Sequence, residues 1–330
     1  MIGKDLLSVF PMRSYRLTAC AKINLYLGIV GDRSDGFHEL VMVMQSVDLA
    51  DMVTISEMRS ANPLHDIHLT CDQADVPVDA TNLAWKAADL IRQRFPEVAA
   101  KQGGISIDIQ KRIPMGAGLA GGSADCAAVL VGLNLLWELG LTQSELQELA
   151  AELGSDISFC VSGGTALCTG RGEVIDPLPN LDNLYAVLAK YRDLPVPTPW
   201  AYKAYREHFG PTYPKTVEEL EDRKQCLKSS ELMNAIAYGD NAAIGRLLHN
   251  DLEQVVLPNY PQVQSLRDIF GQTQNLGVMM SGSGSTVFAL CNTKDDAEAL
   301  RLEMRSLIPD ETLEFWVTQF CSSGVKIAAS

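Results

Sequence analysis

Eleven consecutive residues, Pro114-Met115-Gly116-Ala117-Gly118-Leu119-Ala120-Gly121-Gly122-Ser123-Ala124, hold four glycines between a strand-like run at 105–109 and an apolar, helix-like run at 124–139. Small side chains let backbone N–H groups close on phosphate oxygens, and a helix start adds positive dipole. The chemistry this predicts is anion binding, with a nucleotide as the phosphate carrier. A plain strand-to-helix turn needs only one or two glycines. Two familiar nucleotide loops do not fit. A Walker loop ends in Gly-Lys-Ser/Thr, and no lysine separates Gly122 from Ser123. A dinucleotide fingerprint can be laid over Gly116, Gly118 and Gly121. It falls far from the N-terminus, and no acidic residue ends a following strand at the usual distance.

Four further clusters carry groups that could react or bind. Ala21-Lys22-Ile23-Asn24-Leu25 puts a lysine and an asparagine into an apolar strand, two residues apart and so on one face. A lysine there is costly to bury unless paired; an edge strand with one polar face is the other reading. Asp156, within Gly154-Ser155-Asp156-Ile157-Ser158-Phe159, suits a general base or a metal ligand, and equally a helix N-cap. Asp35-Gly36-Phe37-His38-Glu39 sets an aromatic ring and an imidazole beside a turn, where they could stack on and hydrogen-bond a planar base or simply anchor the turn. Ser281-Gly282-Ser283-Gly284-Ser285-Thr286 lies between two apolar runs. It reads as a hairpin loop, or as a second glycine loop closing over the ligand of the first. The histidines show neither HExxH nor paired spacing, which argues against a zinc site.

The elements that must position these groups follow from periodicity. Strands are predicted at 16–30 and 41–55, joined by a polar turn from Gly31 to Gly36. A helix is predicted at 79–95, with Leu83, Ala87, Leu90 and Ile91 on one face and Asp79 or Thr81 at its start. A strand at 104–110 precedes the glycine loop, and a helix at 123–139 follows it, ended by Gly140. The next helix, 142–153, opens with a Thr142/Glu145 capping box and closes at Gly154. Short strands follow at 163–168, 173–177 and 186–189, then a proline-dense link at 193–199 that marks a boundary between halves. Helices are expected at 230–249, 263–270 and 294–306, with strands at 278–280, 287–291 and 315–320. Strands mixed with helices, without strict βαβ alternation, predict an α+β fold of two lobes, 1–190 and 191–330.

Composition excludes several classes. The net charge of −14 argues against a general nucleic-acid binder, which needs a basic face. No apolar run reaches transmembrane length. Eight cysteines without a CxxC pair read as reduced thiols in a reducing compartment. The N-terminal stretch lacks an apolar core and a small-residue cleavage site, so no secretory leader is expected, and the expected location is cytoplasmic, or plastid stroma in a eukaryote. The expected partner is a small-molecule substrate, with no nucleic acid and no membrane; monomer and homodimer are both open.

Together these segments resemble the GHMP kinase superfamily, its three motifs being 21–27, 114–124 and 281–286. The resemblance is closer to one branch, the 4-diphosphocytidyl-2-C-methyl-D-erythritol kinases. It lies in AKINLYLGIVGDRSDGFHEL (21–40), KRIPMGAGLAGGSADCAAVLVGLN (111–134), LGSDISFCVSGGTALCTGRGE (153–173), PVPTP (195–199) and SGSGSTVFAL (281–290). These blocks span most of the chain in the expected order. The resemblance implies a two-lobed α+β fold, an N-terminal lobe like ribosomal S5 domain 2 and a ferredoxin-like C-terminal lobe, with ATP and substrate between them. It implies transfer of the ATP γ-phosphate to the 2-hydroxyl of the cytidylyl substrate, in the non-mevalonate route to isopentenyl diphosphate, with Mg²⁺ bridging the phosphates. Asp156 would fall at the catalytic carboxylate, Lys22 at its partner lysine and Asn24 beside the substrate. Phe37 and His38 would hold the cytosine, with Tyr202 as the other stacking face. Two residues depart from the family pattern: Ala120 stands where glycine is frequent, and Asp125, where asparagine is common, adds negative charge near the phosphates. The alternatives are a related kinase of mevalonate, homoserine or a sugar, a catalytically silent metabolite-binding regulator, and, more distantly, an NAD-binding oxidoreductase. The DGFH block speaks against the first, and Lys22 with Asp156 against the second.

Overall fold

The structure is a computed structural model and describes residues 13–58, 66–228 and 230–328. The first residues of the stretch read for a leader, and the Cys226 side chain, lie outside the described residues.

The first half is built on a long antiparallel hairpin, β1 (Ser14–Asp32) and β2 (His38–Met58). Ile23, Leu25 and Ile29 of β1 are fully buried and Leu27 nearly so; Lys22, Asn24 and Val30 are buried too, so both faces of the strand are covered there. Next come β3 (Ile67–Cys71), α1 (Leu83–Arg94), the short α2 (Pro96–Ala99) and β4 (Gly104–Gln110). Then α3 (Gly121–Leu136), α4 (Gln143–Leu153) and α5 (Ser155–Ser162) lead into β5 (Thr165–Gly170) and β6 (Val174–Pro177). The length of β2 serves two partners: its residues 52–58 pair with β4 and its residues 40–45 with β5. α3 lies pressed on this sheet. A Cβ at Gly132 would meet Ile55 Cδ1 at 2.2 Å and Leu17 Cδ1 at 2.6 Å, so a larger residue there would push these buried side chains aside.

The second half starts with β7 (Tyr185–Tyr191), α6 (Thr198–Phe209) and α7 (Val217–Lys228). It continues with α8 (Glu231–Tyr238), α9 (Asn241–Arg246), the two-residue β8 (His249–Asn250), α10 (Glu253–Asn259) and α11 (Pro261–Gly271). It closes with β9 (Gly277–Met280), β10 (Val287–Cys291), α12 (Lys294–Leu307), β11 (Leu313–Gln319) and β12 (Val325–Ile327). Its four-stranded sheet is antiparallel in the order β11-β7-β10-β9. α12 buries Ala297, Leu300 and Met304, one stripe at helical spacing. β8 and β12 rejoin the first sheet, both alongside β1. The α+β class holds. The division expected after residue 190 falls inside β7, all seven of whose residues pair within the second sheet. Among the described residues no helix is long and apolar enough to cross a membrane.

Four expectations need correction. The 79–95 helix begins at Leu83, because Asn82, not Asp79 or Thr81, caps it by accepting from the Ala84 N–H at 2.8 Å. Asp79 instead accepts from Thr81 N–H and forms a turn. α3 starts two residues before Ser123 and ends at Leu136. The single helix expected at 230–249 is three elements: Gly239 at φ +67° ends α8, and Asp240 caps α9 by accepting from Ala243 N–H. Residues 155–162, read only as an apolar run after a helix end, form α5.

Candidate active site

The glycine loop enters from β4 and turns at Gly116 and Gly118, both left-handed. Ala120 shares that conformation at φ 58° and stands at the N-cap of α3, where no side chain caps the helix. The first-turn N–H groups of an α-helix have no partner within it. Here they face a cavity of about 490 Å³ lined by residues from Pro114 to Ser123. Ala124 does not line it and is buried in α3. The Lys22 N–H donates to Leu119 O at 3.1 Å, which ties the loop to β1.

The third motif closes over this loop, and it is also the β9–β10 hairpin turn; both readings of it are realised. Ser281 Oγ donates to Gly118 O at 3.1 Å. A Cβ at Gly118 would meet Ser281 O at 2.1 Å, so glycine is what permits the approach. Asn250 on β8 donates to Met280 O and Gly282 O, both at 2.8 Å, and so fixes the turn to the first sheet. Gly282 and Ser283 line the cavity, and Ser283 Oγ lies 2.8 Å from Thr198 Oγ1. Ser281, Gly284 and Ser285 do not line it; Ser285 Oγ donates to Leu194 O instead.

Lys22 and Asn24 share one face of β1, as their spacing requires. Lys22 is 4% exposed and donates to Asn24 Oδ1 at 2.7 Å. Its second partner is Asp156 Oδ2 at 3.5 Å. Asp156 sits in the first turn of α5, whose N-cap is Gly154. It is therefore no N-cap, and its carboxylate, one-third exposed, points into the cavity with Lys22 and Asn24. A buried lysine between an amide oxygen and a carboxylate resolves the cost the sequence posed.

A second cavity, of about 530 Å³, holds Phe37, His38 and Tyr202. The two cavities share Met42, Ser123, Asp156, Thr198 and Tyr202 as a common wall. His38 is buried and faces Tyr202 with ring centroids 5.2 Å apart. Burial, then the nearby Arg206 charge, push the His38 pKa down, with Asp32 opposing. Its Nε2 is buried without a hydrogen bond. Phe37 is half exposed. The turn bearing this pair is clamped from outside. Arg206 of α6 donates to Asp32 Oδ1 at 2.8 Å and to Gly36 O at 2.9 Å. Glu39 joins Arg33 at 2.7 Å to Lys224 of α7 at 2.6 Å.

Beneath the loop lies a charged trio missed in the sequence except for Asp125. Lys111 Nζ donates to Asp51 Oδ2, and to Asp125 Oδ2 at 2.7 Å. Asp51 Oδ1 accepts from the N–H groups of Arg112 and Ile113, which fixes the turn into Pro114. Asp125 lines the loop cavity as a member of this trio, its charge set against Lys111. Burial is the largest influence on it and, with Asp51 close by, pushes its pKa up to about 7 despite Lys111. Also missed were Arg171 and Lys203, which line the second cavity. For Arg171 the Gly170-Arg171-Gly172 triplet was a signal, a charged side chain between two glycines; Lys203, on α6, had none.

The GHMP kinases N terminal domain matches residues 82–164 and the GHMP kinases C terminal domain residues 223–310. A 4-diphosphocytidyl-2-C-methyl-D-erythritol kinase from Acaryochloris marina is 55% identical, over 96% of this chain and 99% of its own. One from Trichormus variabilis is 53% identical over the same shares. The crystal structure of a 4-(cytidine 5'-diphospho)-2C-methyl-D-erythritol kinase superposes with a TM-score of 0.70 at 31% identity, over 92% of this chain and 98% of that one. A homoserine kinase from Cytophaga hutchinsonii shares the fold, with a TM-score of 0.72 at 20% identity. With those two domains in order and that identity along nearly its whole length, the chain belongs to the GHMP kinases and, within them, to the 4-diphosphocytidyl-2-C-methyl-D-erythritol kinase family.

Proposed function

We propose that the protein transfers the γ-phosphate of ATP to the 2-hydroxyl of 4-diphosphocytidyl-2-C-methyl-D-erythritol, giving the 2-phosphate and ADP for isoprenoid synthesis. The observation that carries this is the position of the Lys22–Asp156 pair. It stands at the junction of a glycine-lined cavity and an aromatic one. ATP takes the first cavity, its phosphates against the loop and the start of α3. The acceptor takes the second, its cytosine held by Phe37, His38 and Tyr202 and its methylerythritol end at Asp156. Asn24 lies beside the reacting hydroxyl and holds Lys22 in place.

Phosphoryl transfer depends on positioning and charge more than on covalent help. Asp156 orients the hydroxyl and takes its proton, and the ammonium of Lys22 offsets charge developing on the transferred group. Ser281 to Ser285 hold the glycine loop in its anion-binding shape. Among the described residues no group of three His, Cys, Asp or Glu side chains could hold a metal by itself. Ser123, Asp125 and Asp156 line the loop cavity and would hold a Mg²⁺ there together with the nucleotide; the ion would supply neutralising charge.

The test offers ATP and a panel of alcohols and reads product mass. The panel holds the cytidylyl compound, methylerythritol phosphate, mevalonate, homoserine and galactose. Product with the cytidylyl compound alone is expected. Product with another alcohol keeps the kinase and discards the acceptor; ATP binding without any product points to a silent binding protein.

A further inference from the structure

Two cysteines from opposite ends of the chain meet beside the strand that carries Lys22. Cys20 is buried on β1, two residues before Lys22. Cys321 follows β11 and is partly exposed. The Cys20 thiol donates a hydrogen bond to the Cys321 sulfur. That bond is the largest influence holding the Cys321 pKa below its usual range; burial opposes it, and the Lys326 charge adds to it. The same contact, with burial, pushes the Cys20 pKa up. A sulfur disposed to ionise thus stands near the surface with a protonated thiol behind it. The other described cysteines differ. Cys126, Cys160, Cys168 and Cys291 are buried, and Cys71, although partly exposed, has its pKa raised by burial. Backbone bonds hold the pair in place. Cys20 N–H donates to Gly324 O at 2.8 Å, and Cys321 N–H to Ser46 O at 2.9 Å. Ser46 lies opposite Lys22 in the β1–β2 register. Gly324 N–H donates at 3.0 Å to the carbonyl of Ser162, the last residue of α5. A Cβ at Gly324 would meet Cys160 O at 1.9 Å, so this segment is pressed on the α5 backbone. Residues 321–324 therefore touch both elements that bring Lys22 and Asp156 together.

We propose that Cys20 and Cys321 form a thiol–disulfide switch: a low-molecular-weight disulfide oxidises the pair, and closing the bond slows phosphoryl transfer by shifting the strand that carries Lys22. Cys321, as thiolate, attacks one sulfur of the incoming disulfide; that S–S bond breaks, and one thiol leaves with a proton from solvent. Cys20 then gives up its proton and attacks Cys321 Sγ, which releases the second thiol. The two cysteines lose two electrons and two protons, and the incoming disulfide gains them as two thiols. A covalent S–S bond is shorter than a hydrogen-bonded contact between thiols, so closing it draws the two sulfurs together. The 321–324 segment has little room to yield, being bonded to Ser46 and packed on α5. β1 has an irregularity between Cys20 and Ala21. The pull falls there, next to Lys22.

The reduced protein is exposed to glutathione disulfide, its free thiols are alkylated, and the product is weighed and mapped by mass spectrometry. Labelling should fall by two thiols, and one linked peptide should join Cys20 to Cys321. Turnover with ATP and the cytidylyl acceptor should fall at least about tenfold, within the cost of displacing a positioned group by about an ångström. Dithiothreitol should restore it. Cys321→Ser should keep its turnover through the same treatment and form no linked peptide. Cys20→Ser should retain glutathione on Cys321 as a mixed disulfide, because the resolving thiol is gone; Cys20→Ala stands in if serine does not fold there. No loss of label, a different pairing, or a closed Cys20–Cys321 bond with unchanged turnover would overturn the proposal. So would equal inactivation of Cys321→Ser. The rate readout rests on the kinase reading above, and the thiol count does not. A reduced protein that yields no product with any acceptor therefore fails that reading, and the linked peptide alone then decides the redox pair.

Discussion

At Asp156 a carboxylate pairs with Lys22 at 3.5 Å and has an open side toward two cavities. Asp156→Asn keeps the shape and removes the proton acceptor. Turnover should fall by about 10²–10⁴-fold, with ATP affinity little changed because the glycine loop is untouched. Turnover near normal would take Asp156 out of the base role. Asp125 poses a different question. Its folded pKa of about 7 lies well above the value of about 4 usual for an unfolded aspartate. Between those two values the folded protein holds a proton the unfolded chain has released. Stability therefore falls as pH rises toward 7 and levels off above it. A carboxamide at this position has no such proton to lose. The stability of Asp125→Asn relative to the unmodified protein should thus rise by about 1–3 kcal/mol from pH 5 to pH 8.5. Denaturant unfolding at the two pH values reads this directly; a pH-independent difference would mean that Lys111 holds the pair ionised throughout.

Local chemistry made some elements legible and left others hidden. The Thr142/Glu145 capping box is present as read, because both of its bonds lie within one helix turn. The strands of the long hairpin and the glycine-loop helix followed from period and punctuation. The first break in 230–249 had a local signal, Gly239 followed by the capping Asp240, that the periodicity overrode; the second was not legible, because it ends in β8, a pairing with β1 that lies more than two hundred residues away in sequence. Lys111 was missed for the same reason: its partners Asp51 and Asp125 come from β2 and α3, and no spacing rule joins them. The Lys22–Asn24 pair was legible because both lie on one strand, whereas their meeting with Asp156 came from family resemblance. Ala120 stands out in the sequence as a departure from a frequent glycine, and its conformation matters more than its bulk. Left-handed backbone costs an L-residue about 1–2 kcal/mol, and Ala120 adopts it at the start of α3. Ala120→Gly relieves that cost against greater freedom in the unfolded chain. A net gain of about 0.5–1 kcal/mol is expected, read as a higher denaturation midpoint at unchanged slope. A lower midpoint would mean that the methyl contributes packing worth more than the strain.

The whole molecule brings two cavities to one wall, and that arrangement constrains the order of chemical events. The loop cavity belongs to the first sheet and the β9–β10 turn; the acceptor cavity lies between the β1–β2 turn and α6. Asp156 and Ser123 line both, so a phosphate held at the start of α3 and a hydroxyl held at Asp156 face each other without an intervening carrier. Ternary-complex kinetics follow. Initial rates should give intersecting reciprocal plots, and ATP should not exchange label with ADP when the acceptor is absent. A chiral γ-phosphate should arrive on the product with inverted configuration, as one in-line displacement requires. Parallel plots with acceptor-independent exchange and retained configuration would instead place a covalent phosphoryl group on the protein between two displacements. Among the described residues, the shared wall offers four side chains that could carry it: Ser123, Asp156, Thr198 and Tyr202. Asp156→Asn separates direct transfer from a phosphoaspartate route. Under direct transfer it slows the reaction and creates no exchange; under a phosphoaspartate route it abolishes an exchange that the unmodified protein displays.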